Sequence, residues 1–391
     1  MDYRVYWIWL QQAFGEGSPL PWHLHRRFPG GAEEFFQGGP RLWNTLTFIT
    51  DQQAAALYGF TLQEAEARLE YAGKVGWFVL TPECEKYPGA LRNISDPPAV
   101  LYGKGELPDL ASAPAIAVAG ARKALPVSVQ AAKSIGYQLA AGGAPVVSGG
   151  AVGIDSAALE GAMSASGQVA SVLPVDLGSP YIHKNAGLRK EICQRGGALL
   201  SEYFMQRNPA MGGFQVRNRL ISGLCCGVVL IQAAAKSGTI MYARFAAEQD
   251  RDVFVYPGPP GAPEYAGSRA LLADGAKAVT CGEDVLEDYA LRFSGRRPAR
   301  APLPPEYTGL FDSVPFPKRE AALADSGVQG PALPPEGEKV WAALGDGPMG
   351  IAQLEEATGL GAGQLLGLLT ELELDGVVES APGKRYRRGR C

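Results

Sequence analysis

Between residues 114 and 285 short apolar runs alternate with longer stretches of helix formers, and this alternation limits the fold more than any other feature. The runs IAVAG (116–120), APVVSGGAVGID (144–155), QVASVLPV (168–175), ALLSEY (198–203), CGVVLIQAA (226–234) and DVFVYPG (252–258) read as strands, the second breaking into a glycine-rich loop. Between them SVQAAKSIGYQLAAGG (128–143), SAALEGAMSASG (156–167), LRKEICQRGG (188–197) and GTIMYARFAAEQDR (238–251) read as helices. Strands apolar along their whole length are buried on both faces, and strands joined through helices run parallel. The expected fold class is α/β, a doubly wound, mostly parallel sheet.

The flanks carry other patterns. Residues 1–76 read as a small helical domain, in which Thr50 and Thr61 are N-cap candidates of two short helices separated by Gly59. That pair carries few basic residues and reads as a packing module. Residues 77–108 read as a strand, a Pro-rich loop and a second strand, opening a core domain over 77–290. Residues 291–335 hold too many prolines for helix or sheet and read as an extended linker. Residues 336–391 read as three helices and a β-hairpin, the order of a winged-helix domain, with Leu365, Leu368, Leu369 and Leu372 on one face of the third helix and a turn at Ala381-Pro382-Gly383. That helix carries Glu371, Glu373 and Asp375 and no Lys or Arg, which argues against base readout. The hairpin residues Lys384–Arg388 could touch phosphate; a partner-binding or structural role stays equally open.

The 391 residues carry a net charge of only −4, so any polyanion site must be a local patch. No run is long enough to span a membrane, and MDYRVYWIWLQQAFG lacks a basic segment before an apolar core, so a cytoplasmic protein is expected. Cys84, Cys193, Cys225, Cys226, Cys281 and Cys391 form no C-x-x-C pair and read as reduced thiols. With His23, His25 and His183 as the only histidines, no metal site, no cofactor and no catalytic constellation is expected.

In an open parallel sheet ligands sit beyond the carboxyl ends of the strands. Four loops fall there. AGARKA (119–124) offers Gly120 and Arg122; SGGAVGID (148–155) offers Ser148, Gly149, Gly150 and Gly153 as backbone N–H donors at a helix start; GGFQVRNRL (212–220) offers Arg217, Asn218 and Arg219, read as flanking a turn before a buried strand; KSGT (236–239) offers Lys236, Ser237, Gly238 and Thr239. Each has a bland alternative. Arg122 could be a surface charge, Arg217 and Arg219 could pair with carboxylates, and Asp155 could be a helix-start carboxylate. Together they point to phosphate, and to a binding protein rather than an enzyme.

Six stretches, YPGALRNISDPPAVLYGKG (87–105), VVSGGAVGID (146–155), GGALLSEY (196–203), FQVRNRLISGL (214–224), KSGTIMYARFAAEQDRDVFVYPG (236–258) and GSRALLADGA (267–276), resemble in order and spacing the DNA-processing protein A (DprA/Smf) family. The resemblance runs over about 77–285 and more loosely to both ends, where the tail resembles the family's winged-helix domain. It implies a Rossmann-like core that binds single-stranded DNA, protects incoming strands in natural transformation, loads the RecA recombinase and works as a homodimer. The DNA contacts it implies are Arg122, Ser148, Gly149, Gly150, Gly153, Arg217, Asn218 and Arg219. The chain departs from the family at Val152 (an Arg before Gly-Ile-Asp), at Leu159 and Glu160 (His-Arg), at Ile182 (Pro) and at Ser268-Arg269 (Thr-Asn), and Arg269 would offset Val152 if their loops adjoin. Two alternatives remain. A phosphoribohydrolase-like nucleotide enzyme would need a glutamate where Tyr242 and Ala243 stand, and a diverged interaction module would have lost DNA altogether. The apolar edge near Val253–Tyr256 is a candidate dimer interface.

Overall fold

The structure is a computed structural model that describes residues 1–206, 208–209, 212–293, 335–344, 349–361, 364–365, 368–369, 372, 378–381 and 385–388. The expected linker beyond 293, the turn residues Pro382 and Gly383, Lys384, and the acidic residues Glu371, Glu373 and Asp375 lie outside the described residues. The chain divides into two compact units, residues 1–316 and 317–391.

The first unit opens with five helices, α1 (Arg4–Phe14), α2 (Leu20–Arg27), α3 (Gly31–Trp43), α4 (Asp51–Gly59) and α5 (Leu62–Lys74). Helices α4 and α5 both start from capping boxes, Thr50 with Gln53 and Thr61 with Glu64, so the two threonines act as the spacing suggests. These helices are joined to the sheet by one continuous core, in which Trp9 packs against Phe35, Phe36 and Trp43. Gln11 of α1 fastens them further. Its amide donates to the Glu202 carbonyl at 2.6 Å and accepts from the Val100 N–H at 2.8 Å.

The rest of the unit runs β1 (Trp77–Leu80), β2 (Leu101–Gly105), β3 (Ile116–Gly120), α6 (Pro126–Ala141), β4 (Val146–Ser148), α7 (Ile154–Ser164), β5 (Val169–Val172), α8 (Ala186–Gln194), β6 (Ala198–Ser201), α9 (Gly213–Gly223), β7 (Gly227–Ile231), α10 (Ile240–Glu248), β8 (Asp252–Tyr256), α11 (Ala266–Ala273), β9 (Lys277–Ala278) and α12 (Gly282–Leu286). The nine strands form one sheet in the order β1-β2-β6-β5-β4-β3-β7-β8-β9. From β6 to β9 every neighbouring pair is parallel, and only β2 runs against its neighbours. After β3 the chain steps outward through β4, β5 and β6, then returns to lie beside β3 as β7. The connections leaving β3 and β7 therefore depart in opposite directions, which opens a crevice at their carboxyl ends.

Close approaches shape this half of the sheet. Gly120 faces Ile231 across β3 and β7, and a Cβ there would strike the Ile231 carbonyl oxygen. Helices α6 and α7 pack backbone to backbone, because Gly136 lies against the Ala158 carbonyl and Gly161 against that of Lys133.

Two expectations are corrected. Residues 212–220 are not a turn before a strand but the start of α9, entered through Gly212 at φ 79°. The charges hid a helical period, since Arg217, Leu220 and Ile221 recur at helix spacing and are all buried. The stretch Val253–Tyr256 is not an edge, since β8 pairs with β7 on one side and β9 on the other, and Phe254, Val255 and Tyr256 are buried.

In the second unit α13 (Pro335–Ala343), β10 (Met349–Gly350), α14 (Ile351–Thr358), β11 (Val378–Ala381) and β12 (Arg385–Arg388) surround a small core, with the strands in the order β10-β12-β11. Leu365, Leu368, Leu369 and Leu372 lie in that core with Val340, Leu344, Leu354 and Val378. Among the described residues no helix is long and apolar enough to cross a membrane.

The α6–α7 contact has no room for a side chain. Gly136→Val is expected to cost about 1–3 kcal/mol by overpacking, read as a lower urea midpoint with an unchanged slope; an unchanged midpoint would contradict the packing described.

Candidate nucleic-acid interface

Helix α9 carries the central residues and separates their roles. Arg217 and Arg219 are two positions apart, about 200° around the helix, so they face opposite ways. Arg219 points inward. Its Nε lies 2.9 Å from Asp96 Oδ2, its Nη2 3.0 Å from Glu202 Oε1, and its Nη1 donates to the Val216 carbonyl at 3.1 Å. Glu202 also accepts the Gly17 N–H at 3.0 Å. Burial disfavours the Arg219 charge, but Glu202 and Asp96 outweigh it and hold the guanidinium above its ordinary range. Burial pushes the Glu202 carboxyl up, against the pull of Arg219. Arg219 is thus committed to a buried ion pair that ties α9 to β6, to the 81–100 segment and to the N-terminal helices.

Arg217 points to the carboxyl edge. It is 4% exposed, its Nη1 donates to the Val172 carbonyl at 3.1 Å, and its Nε has no hydrogen-bond partner among the described residues. No described carboxylate lies within ion-pair distance. Phe214, one turn earlier and half-buried, presents its ring to two cations: the guanidinium carbon of Arg122 lies 4.7 Å from the ring centroid and that of Arg217 5.9 Å. Arg122 itself is exposed, at the turn after β3. Its neighbour Lys123 is exposed too, and its carbonyl accepts from Gln232 Nε2 at 3.2 Å. Gln232, at the end of β7 with φ 56°, also accepts from the Leu125 N–H at 2.8 Å and from the Ser128 hydroxyl. A buried amide thus clamps the loop after β3 to the end of β7 and fixes where Arg122 stands.

The glycine loop after β4 is closed rather than open. Ser148 is buried and donates to the Val118 carbonyl at 2.6 Å. A Cβ on Gly149 would collide with the Arg217 guanidinium, and one on Gly150 would press on Ser171 Oγ. Asn185 Nδ2 holds the Gly150 carbonyl at 2.8 Å, and Gly153, at φ 91°, lies against the carbonyls of Ala121 and Arg122. These glycines bring backbone close to neighbours, and the loop shows the surface Val152 at 39% exposure. Asp155 is buried behind Gly149. Burial pushes its carboxyl up, while Arg217 and the backbone N–H groups of Ala151 and Gly120 pull the other way.

The remaining candidates are scattered around this centre. Lys236 and Gly238 are exposed after β7, and Ser237 Oγ accepts the Thr239 N–H at 3.1 Å, leaving Thr239 buried. Asn218 is buried with Oδ1 unpartnered among the described residues. Arg269, on α11, is exposed and donates to the Ala262 carbonyl at 2.9 Å. β3 and β7 stand between β4 and β8 in the sheet, so Arg269 does not lie on a strand neighbouring the loop of Val152. Phe214, Asp155, Asn185 and Gln232 were not singled out as site residues from sequence. Phe214 left a signal, three residues before Arg217, and Asp155 reads from sequence only as a helix-start carboxylate. Among the described residues no group of three His, Cys, Asp or Glu side chains could hold a metal ion.

The chain is similar to known proteins over both its core and its C-terminal part. Residues 78–290 match the family model of DNA recombination-mediator protein A, and residues 324–384 match the DprA winged helix domain. Protein Smf of Escherichia coli strain K12 is 30% identical over 347 residues, covering 88% of this chain and 86% of that one. DNA processing protein DprA of Streptococcus pneumoniae is 36% identical over 232 residues, covering 59% of this chain and 79% of that one. The X-ray structure of S. pneumoniae DprA superposes with a TM-score of 0.55 at 30% identity, over 61% of this chain and 81% of that one.

The contrast between the paired Arg219 and the exposed Arg122 is measurable. Arg219→Ala leaves Glu202 buried without its cation and is expected to cost about 3–5 kcal/mol of stability. Arg122→Ala is expected to stay within about 0.5 kcal/mol of the parent. Thermal unfolding of both variants checks this; equal melting shifts would contradict the assignment.

Proposed function

The chain belongs to the DNA recombination-mediator protein A family, and on that premise we propose that it binds single-stranded DNA along the carboxyl edge of its sheet, without catalysis. One observation carries the reading. Arg122 and Arg217 converge on the face of Phe214 at the switch point, and neither has a described carboxylate within ion-pair distance, whereas Arg219 has two. A guanidinium forks onto phosphate oxygens, and an aromatic ring offers a stacking face to any base. Exposed Lys123 and Lys236 extend the positive charge on the same edge. A duplex hides its base faces, so an aromatic platform flanked by cations favours a single strand, with little sequence preference.

The site is small and the chain as a whole carries a net charge of −4, so binding should be local and salt-sensitive. The loss of the family arginine at Val152 shifts the phosphate contacts toward Arg122 and Arg217. Handling of incoming strands in transformation or recombination, loading of the RecA recombinase, assembly as a homodimer and a cytoplasmic location belong to the same reading and rest on the family. Nucleotide hydrolysis is disfavoured, because Tyr242 and Ala243, where a catalytic glutamate would be needed, are buried on α10.

Titration of a fluorescent oligo-dT with matched duplex as competitor tests this. The single strand is expected to win. Phe214→Ala should weaken binding by about 1–3 kcal/mol whatever the sequence, and Arg122→Ala should flatten the salt dependence by about 0.7 of a logarithmic unit. Unchanged affinity in both folded variants would move the site elsewhere, and no binding by the parent would favour an interaction module that has lost DNA.

A further inference from the structure

The described site contains one charged group that opposes its function. Asp155 is 4% exposed and sits behind Gly149, and a Cβ placed on that glycine would meet both the Arg217 guanidinium and, at 2.7 Å, Asp155 Oδ2. The carboxylate and the guanidinium therefore press on the same point of backbone from two elements, α7 and α9. Asp155 receives the Ala151 N–H at a long 3.4 Å and the Gly120 N–H as well, and Arg217 Nε has no hydrogen-bond partner among the described residues. The carboxylate is held in place by backbone N–H groups, and from there its charge acts directly on the Arg217 guanidinium.

We propose that Asp155 is an internal competitor for the DNA phosphate at Arg217, and that it sets the strand affinity of the site. This rests on the reading of the edge as a single-strand site. In the free protein Asp155 supplies part of the counter-charge that a buried guanidinium needs. When a phosphate arrives at Arg217 it meets that carboxylate's repulsion, so part of the attraction is cancelled. The affinity is then held below what two free arginines would give.

The proposal has a direction in pH. The charged groups facing Asp155 are Arg217 of α9 and Arg122 of the turn after β3; the buried phenol of Tyr242 on α10 lies in the same field. Burial raises the Asp155 carboxyl above its ordinary 3.8, so the proton is gained as pH falls through that raised range. Protonation removes the competing charge and leaves both arginines charged. Strand affinity therefore rises as pH falls. Thymine gains no proton in this range, so oligo-dT keeps its charge constant.

The experiment is oligo-dT binding from pH 8 to pH 5 at fixed salt, with the full chain, Asp155→Asn and Arg217→Ala. Asp155→Asn is expected to bind about tenfold tighter than the parent at pH 8, with a nearly flat profile, and its melting temperature should rise more on adding oligo-dT. The parent should tighten toward pH 5. If Asp155→Asn does not fold, the profile of Arg217→Ala decides: a flat profile supports the competitor, and one that parallels the parent overturns it. A folded Asp155→Asn that binds no tighter than the parent also overturns it. A parent that binds no strand at any pH overturns the reading of the site itself, and the inference falls with it.

Discussion

A charged helix is buried beneath the carboxyl edge of an apolar sheet, and the rest of the structure depends on how its charges are met. Removing a guanidinium from water costs several kcal/mol unless a partner is supplied. Helix α9 solves this twice and differently. Arg219 receives two carboxylates, Asp96 and Glu202, and becomes a strut between the sheet and the N-terminal helices. Arg217 receives a backbone carbonyl and a nearby field from Asp155, and its Nε has no hydrogen-bond partner among the described residues. The first arrangement is complete within the protein. The second leaves a guanidinium nitrogen for the phosphate proposed above.

The position of this helix follows from topology. The sheet winds outward from β3 and returns as β7, so the loops after these strands diverge and leave space at their ends. Gln232 then pins the loop after β3 across that space, and Gly149 lets Arg217 approach the backbone. A side chain at Gly149 or a shorter residue at Gln232 would misplace the two cations that flank Phe214. The N-terminal helices enter the same argument through Gln11 and the Gly17 N–H, both of which meet Glu202.

Much of this was legible in the sequence, and the reasons for the rest are physical. The parallel strands could be read because full burial leaves short runs of mostly apolar residues, broken only by small ones such as Ser171. Thr50 and Thr61 could be read because a capping box is a local motif. Helix α9 could not, because arginines on its buried face break the apolar period that marks a helix. The glycine loop pointed to an open anion cradle, but glycine is required equally where backbone meets a neighbour, and here it meets Arg217, Ser171 and the Arg122 carbonyl. That Arg219 is an ion pair and Arg217 is not depends on Glu202 and Asp96, which are distant in sequence from one another. Nothing in the spacing of Arg217, Asn218 and Arg219 distinguishes the two arginines beyond their opposite faces.

The central claim is that a strand lies against Phe214 between Arg122 and Arg217. Photocrosslinking of oligo-dT to the full chain, followed by tryptic mapping, tests it most directly, because thymine crosslinks to the side chain it stacks on. The account predicts that the crosslinked peptide spans residues 208–217 and that the adduct sits on Phe214. Adducts found only in the winged-helix unit, with 208–217 unmodified, would contradict it.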